Sequence, residues 1–421
     1  MVFPIVPDLT RSGLNSAGLC LALLLAAASP SWADTQPAPT PPASASPAAP
    51  AADTATSSDP DLAACLAAFS RQDVDAMLAA CDKAVNNGKL SNDDKAKALA
   101  TRGIAYDAKH EADKAYADFD AALTLTPKSA AAYVNRGIAS MARHDADGAL
   151  ADFSKAVALD PSSPAAYFQR GLALEARGAN ATAIADFSKA IDLRADFADA
   201  YRERGIAASN MRDYDDALRD LDQAIALQSG DAIAYDARGT AHMGRQEYDK
   251  AIADFGQAIT LDPGNPVFYS DRAGAYGLKG NLKQALVDFR AANQRDPKDP
   301  GTLDSLCYFL SLTGKANEGI GYCDQLVAVL PNKADVYGSR AYAKLRLGQF
   351  QSAIDDANKG LLIAPSRSDL LFTRAYAEER MGDITNAIKD YRGARAGNPD
   401  IDATMQSSGL VPGSKTIAPK W

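Results

Sequence analysis

Tyr235 to Pro263 reads YDARGTAHMGRQEYDKAIADFGQAITLDP. Its Tyr235, Gly239, Tyr248, Ala251, Phe255, Ala258 and Pro263 fall at offsets that fit two short antiparallel helices. Small residues at Gly239, Ala251 and Ala258 let the helices approach closely, and the rings of Tyr235, Tyr248 and Phe255 fill the space between them. Pro263 cannot continue a helix and stops the second one. Such a pair cannot bury its apolar face alone, so the stretch predicts neighbours of the same construction.

The Arg238-Gly239 dipeptide recurs as Arg102-Gly103, Arg136-Gly137, Arg170-Gly171 and Arg204-Gly205, and in weaker form as Arg272-Ala273, Arg340-Ala341 and Arg374-Ala375. Every step is 34 residues, or 68 across Leu306-Cys307, which fills the skipped slot. Numbering each of the nine units from 1 to 34 puts the glycine at position 8. Position 4 is then Tyr in six units, position 20 is Ala in all but the unit of Gly319, and position 32 is Pro except at Ala195 and Ser229. Position 24 carries Phe119, Phe153, Phe187, Leu221, Phe255, Phe289 and Tyr391. The apolar spacing places helix A over positions 2 to 14 and helix B over positions 18 to 30.

This period and pattern resemble the tetratricopeptide repeat (TPR) over roughly residues 62 to 405. The resemblance implies an all-α fold: a solenoid of about nine full helix-turn-helix repeats with a right-handed superhelical course, one array rather than several domains. The divisions expected are a degenerate N-terminal capping repeat over 61–95, the array over 96–401, and a C-terminal cap and tail over 402–421. Terminal repeats are atypical because one of their faces meets solvent.

The chain has 421 residues and a formal net charge of -9, which argues against a nucleic-acid partner, since phosphates call for a basic stripe. Leu19 to Ala28 is a ten-residue apolar run, too short to span a bilayer, and Ser31-Trp32-Ala33 offers small residues at the -3 and -1 positions. Residues 1–33 therefore read as a signal peptide cleaved after Ala33, with an uncleaved anchor as the alternative. The segment suits export to a bacterial periplasm or beyond, and no other stretch could cross a membrane. Residues 34–60, rich in Pro, Ala, Ser and Thr, read as an extended, disordered linker.

Arg at position 7 is matched by Asp at position 23 in eight units, always sixteen residues on, as in Arg136 with Asp152, Arg170 with Asp186 and Arg238 with Asp254. In an antiparallel hairpin these positions lie at nearly equal height, so a structural ion pair is the favoured reading; a row of arginines offered to an acidic ligand is the other. The seventh unit breaks the rule with Leu306 and Tyr322, but one residue along stand Cys307 and Cys323, also sixteen apart. The degenerate unit has Cys65 and Cys81 at the same separation. Loss of Cys20 with the signal peptide leaves four cysteines, which allow three connectivities; the hairpin geometry predicts Cys65–Cys81 and Cys307–Cys323, as an oxidising compartment permits. Small buried thiols are the alternative.

The TPR resemblance further implies that helix A lines a concave groove through positions 2, 5, 9, 12 and 13. Phe168 and Phe372 stand at position 5, Tyr308, Tyr342 and Tyr376 at position 9, and Arg346 and Arg380 at position 13. These seven are the candidate binding residues, the tyrosines and arginines being typical of interface hot spots; packing between neighbouring helices is the competing use. The family's carboxylate clamp, Lys at position 5 with Asn at position 9, is not matched. No catalytic, metal or cofactor pattern is present: His110 and His144 fall at repeat turns, His242 at position 11, and no GxxxxGK[ST] loop occurs. The expectation is an exported, non-enzymatic scaffold for a protein or peptide partner, the alternatives being self-association and an accessory subunit of an envelope enzyme or assembly machine.

Overall fold

The computed structural model describes residues 59–413. The signal peptide, nearly all of the linker and the end of the tail expected from the sequence lie outside the described residues. Among the described residues there are twenty-one helices and no strand. The degenerate unit is α1 (Pro60–Ser70) with α2 (Val74–Asn86). The first five repeats pair α3 (Asn92–Ala108) with α4 (Ala112–Leu125), α5 (Ala130–Ala142) with α6 (Ala146–Leu159), α7 (Pro164–Ala176) with α8 (Asn180–Leu193), α9 (Ala198–Asn210) with α10 (Tyr214–Leu227), and α11 (Ala232–Gly244) with α12 (Tyr248–Leu261). The last four pair α13 (Pro266–Leu278) with α14 (Leu282–Arg295), α15 (Pro300–Leu312) with α16 (Ala316–Val329), α17 (Ala334–Arg346) with α18 (Phe350–Ile363), and α19 (Ser368–Met381) with α20 (Ile384–Gly397); α21 (Ile401–Ser407) follows. The fold is an all-α repeat solenoid.

Most helices begin one residue earlier than the periodicity predicts, because the caps stand at position 34 of the preceding unit for helix A and at position 16 for helix B. The side chains of Ser129, Ser163 and Asp299 accept from the N–H groups of Ala132, Ala166 and Thr302, and proline at the first turn of α7, α13 and α15 needs no N–H partner there. The turn between helices A and B always passes through a left-handed residue at position 15. Glycine takes that place at Gly178, Gly280, Gly314, Gly348 and Gly382, while Gln72, His110, His144, Arg212 and Gln246 adopt it with φ between 56° and 64°. His110 and His144 are thus turn residues, and side chains with a Cβ are strained in that conformation.

The core of each unit is the crossing of positions 8 and 24. A Cβ added at Gly137 or Gly171 would come within 2.5 Å of the Phe153 or Phe187 ring, so the absent side chain is what lets the ring lie against helix A. Phe119, Phe153, Phe187 and Leu221 are all buried at this crossing, with alanines 115, 149, 183 and 217 at position 20 letting the backbones close.

The helices divide into two compact units, one within Pro37–Gly244 and the other within Arg245–Trp421. The boundary falls inside the Tyr235–Pro263 stretch, between its two helices. Each unit has continuous apolar cores of its own, from Leu62 to Ala139 at the start of the first and from Ala341 to Leu410 at the end of the second.

Candidate functional site

The arginine row comes first, because its use decides whether it can serve a ligand. Arg136 gives Nε and one terminal nitrogen to the two oxygens of Asp152 at 2.8 and 2.7 Å, and Arg170 does the same to Asp186 at 2.7 Å each. Arg102–Asp118, Arg204–Asp220, Arg272–Asp288 and Arg340–Asp356 repeat the fork. The aspartates are buried, except the partly exposed Asp220, and the guanidinium supplies the hydrogen bonds that burial would otherwise remove. The sequence pair Arg238–Asp254 straddles the two units, Arg238 belonging to the first and Asp254 to the second.

The remaining terminal nitrogen was not anticipated from the sequence. It reaches back to position 25 of the preceding unit: Arg102 to Asp82 at 2.7 Å, Arg136 to Asp120 at 2.7 Å, Arg238 to Asp222 at 2.7 Å, Arg340 to Asp324 at 2.9 Å, and Arg374 to Asn358 at 2.7 Å. In the six units with a tyrosine at position 4 the guanidinium also lies 5.4–5.9 Å from that ring centre, as Arg136 does over Tyr133 and Arg340 over Tyr337. One arginine therefore ties helix A to helix B of its own repeat and to helix B of the previous one. The hydrogen bonds to the position-23 aspartates hold these arginines above the usual guanidinium range. The row is spent on packing.

The cysteines take a different part. The structure joins Cys65 to Cys81 and Cys307 to Cys323, with Cα atoms 4.7 and 5.0 Å apart. Both bridges sit at positions 8 and 24, the place of the glycine and its ring in the consensus repeats. All four sulfurs are fully buried.

The candidate binding side chains are not an open row. Phe168 is buried, its ring 5.8 Å from Phe187 and 4.8 Å from Phe197, so it is core. Phe372 is fully buried, edge-on to Tyr391 at 4.9 Å. Tyr342 and Tyr376 are buried and Tyr308 half-buried; Tyr308 and Tyr342 stack with ring centres 5.5 Å apart. Arg380 lies over Tyr376 and donates to its hydroxyl at 2.6 Å, and Arg346 is half-buried close enough to Tyr342 to act on its charge. Position 9 is thus on the helix-A face as expected, but in the last three repeats the face is covered. What covers it is residues 401–413. Tyr342 donates to the Ser408 carbonyl at 2.8 Å, the Tyr308 and Ser408 hydroxyls are 3.3 Å apart, and the Gly413 N–H donates to Glu379 at 2.6 Å. Leu410 is fully buried among Tyr342, Phe372 and Tyr376. Periodicity carried no signal for this, because the segment is too short to show a repeat.

A second polar group lies on the helix-A side of the first unit. Arg202, at position 5 of α9 and only 4% exposed, donates to Asp231 at 2.6 Å, to Asp199 at 2.9 Å and to Glu203 at 2.8 and 3.0 Å. Burial raises Glu203, against the pull of Arg202. Glu175, at position 12 of α7, is pushed up to about 8 by burial and by the Glu203 carboxylate, so it holds a proton at neutral pH. This cluster was missed in the sequence because its members come from different positions of the repeat.

No helix among the described residues is long and apolar enough to cross a membrane. Tetratricopeptide-repeat family models match residues 202–266 and 237–300 and again 164–197, and a TPR-repeat model matches 141–178. With the hairpins and the position-8 crossings already described, these matches define the class: the chain is a tetratricopeptide-repeat protein, built on what is in general a non-catalytic protein-interaction fold. Similar solved structures include MamA from residue 41 onward of Desulfovibrio magneticus RS-1, 24% identical, covering 40% of this chain and 95% of that one with a TM-score of 0.37. YrrB, described as a TPR protein with an unusual peptide-binding site, is 24% identical and covers 44% of this chain and 95% of its own, with a TM-score of 0.37. A tetratricopeptide repeat protein from Parabacteroides merdae ATCC 43184 is 16% identical, covering 59% of this chain and 98% of that one with a TM-score of 0.49. Among curated proteins none matches the chain.

Proposed function

We propose that the chain is a non-catalytic adaptor, exported to the bacterial envelope, that holds an extended segment of a partner protein on its helix-A faces. One observation carries the reading. The helix-A faces of the seventh, eighth and ninth repeats are already covered by a short segment of the chain, residues 408–413, which turns at Gly409 and Gly413 and is held through its Ser408 carbonyl, its Gly413 N–H and the buried Leu410. Export is supported by the apolar run Leu19–Ala28 and by the two disulfide bridges, which persist in oxidising compartments. The arginine row, the other candidate contact surface, is consumed by packing.

The test uses a photo-cross-linking amino acid in the full chain, expressed in its bacterial host. At Thr240, an exposed position-9 residue of α11, it should trap a discrete partner protein. At Leu362, on helix B and 84% exposed, it should not. Equal trapping at both sites, or trapping at Leu362 alone, contradicts the reading. Cell fractionation of the same cultures tests export: a chain found only in the cytoplasm, still carrying residues 1–33, refutes it.

Self-association has its own support in the exposed apolar side chains Leu362, Met381, Ile384 and Ile388 of the second unit. Light scattering on the purified full chain separates the readings, because a stable oligomer that excludes the Thr240 cross-link favours assembly over adaptor binding.

A further inference from the structure

The segment that covers the last three helix-A faces is held as a ligand would be. Two of its polar contacts are made by its backbone: the Ser408 carbonyl accepts from Tyr342, and the Gly413 N–H donates to Glu379. Two side chains enter the face, the fully buried Leu410 and the buried Ser408, whose hydroxyl lies 3.3 Å from that of Tyr308, and the left-handed Gly409 between them lets the chain turn close to helix A. The acceptors and donors on the other side stand on three successive repeats, Tyr308 on α15, Tyr342 on α17 and Glu379 on α19. Glu379 is fixed for the purpose, since its second oxygen accepts from Tyr391 at 2.7 Å. Contacts of this kind read the shape of a short peptide and one apolar residue, and only weakly its sequence.

The face is also poorly suited to standing empty. The Tyr342 hydroxyl is buried with its ring, and loss of the Ser408 carbonyl would leave it without that acceptor in an apolar setting. The tethering element is slight: α21 has seven residues, too few to be stable as a helix without its contacts. On the outside it is held by an exposed Arg395–Asp402 pair, a class of contact that contributes little. The arrangement thus joins a face that needs an occupant to a short occupant, anchored chiefly by the buried side chains of Ile401, Met405 and Leu410.

We propose that the helix-A faces of the last three repeats are a peptide-binding site that residues 408–413 occupy in cis, and that a partner segment with one apolar side chain between small uncharged residues replaces them. The proposal rests on the adaptor reading and adds the chemistry of the partner and the state in which it finds the site. The two fail separately: a partner trapped at Thr240 with no exchange at the C-terminal face keeps the adaptor and removes this site.

The probe is a fluorescent synthetic peptide of residues 400–413, DIDATMQSSGLVPG, titrated into the full chain. A tail closed about nine-tenths of the time weakens apparent binding about tenfold, so Leu410→Asp in the chain, which expels the tail, should tighten binding by about that factor. Adding Tyr342→Phe to the Leu410→Asp chain should weaken it again several-fold, and a probe carrying Leu410→Asp should not bind. Equal binding by the wild-type and Leu410→Asp chains overturns the proposal. Hydrogen exchange on the unaltered chain decides the matter independently of how the variants fold. Amides 408–413 should exchange faster than those of α19 and α20; if the three open only together, the segment is a fixed cap and the proposal is wrong.

Discussion

In the second and third repeats the two helices meet where a phenylalanine ring lies on a glycine; in the seventh they meet through a covalent bond. The places are the same, positions 8 and 24 of the repeat, and so are the helices that carry them. A Cβ at Gly137 would stand 2.5 Å from Phe153, whereas Cys307 and Cys323 each have a Cβ and hold their Cα atoms 5.0 Å apart. One spacing is filled in two ways, by a large side chain facing none or by two short ones joined. The ion pair departs with the ring. Leu306 and Tyr322 replace the arginine and aspartate of positions 7 and 23, and Leu306 is fully buried against the Phe289–Phe309 core. The degenerate unit does the same, with Ala64 and Ala80 at those positions and Cys65–Cys81 at the crossing. Both cysteine units nevertheless keep their aspartate at position 25, where Asp82 and Asp324 receive the arginine of the next repeat. The lesson is that stacking between repeats and closure within a repeat are separate functions. The cysteine units give up the second device and keep the first.

The largest expected effect comes from breaking a consensus repeat. Arg136→Ala leaves the buried Asp152 carboxylate without its fork and removes the link to Asp120, and should cost about 3–5 kcal/mol of local stability, read by denaturant-dependent hydrogen exchange in α5 and α6. Adding Asp152→Ala should restore part of the loss; an additive loss would mean that the pair is not what closes the repeat. Cys307→Ala with Cys323→Ala should cost the second unit about 3 kcal/mol, a similar closure by another means.

Acidity provides an opposite contrast of similar size. The Glu175 carboxyl holds its proton to about pH 8 when folded and to about 4.5 when unfolded, so the folded state binds more protons between those values and its stability falls as pH rises through them. The first unit should lose about 3–4 kcal/mol from pH 5 to pH 8, and Glu175→Gln should flatten the profile, as thermal unfolding across pH would record. The bridge of the seventh repeat contributes no such slope, since joined cysteines do not titrate. The smallest effect belongs to the turns: His144→Gly relieves a left-handed φ of 61° and should stabilise the chain by up to about 1 kcal/mol, whereas a loss would show that the imidazole has a use there.

The hairpins, their order and the pairs sixteen residues apart were readable in the sequence, because a 34-residue period repeats the same local geometry nine times and any single unit calibrates the rest. Even the cysteines were readable, as departures at fixed positions. The site was read less well, for a physical reason. Position within a repeat says which face a side chain is on, and Tyr342 is on the helix-A face; it does not say what lies over that face, and Ser408 does. Phe168 and Phe372 have the same position and were placed with the candidates, but Phe197, in the turn before α9, and Tyr391, on α20, enclose them. Position 25 went unread because its residues vary, from Asp120, Ser188 and Asn358 to Gly256 and Arg290.

That positions 8 and 24 are one structural site with interchangeable fillings is tested most directly by peptide mapping of the chain isolated from its host, digested without reductant and read by mass spectrometry. The account predicts two cross-linked peptide pairs, Cys65 with Cys81 and Cys307 with Cys323, and no free thiol among them. Four free thiols, or any link between the degenerate unit and the seventh repeat, would contradict it.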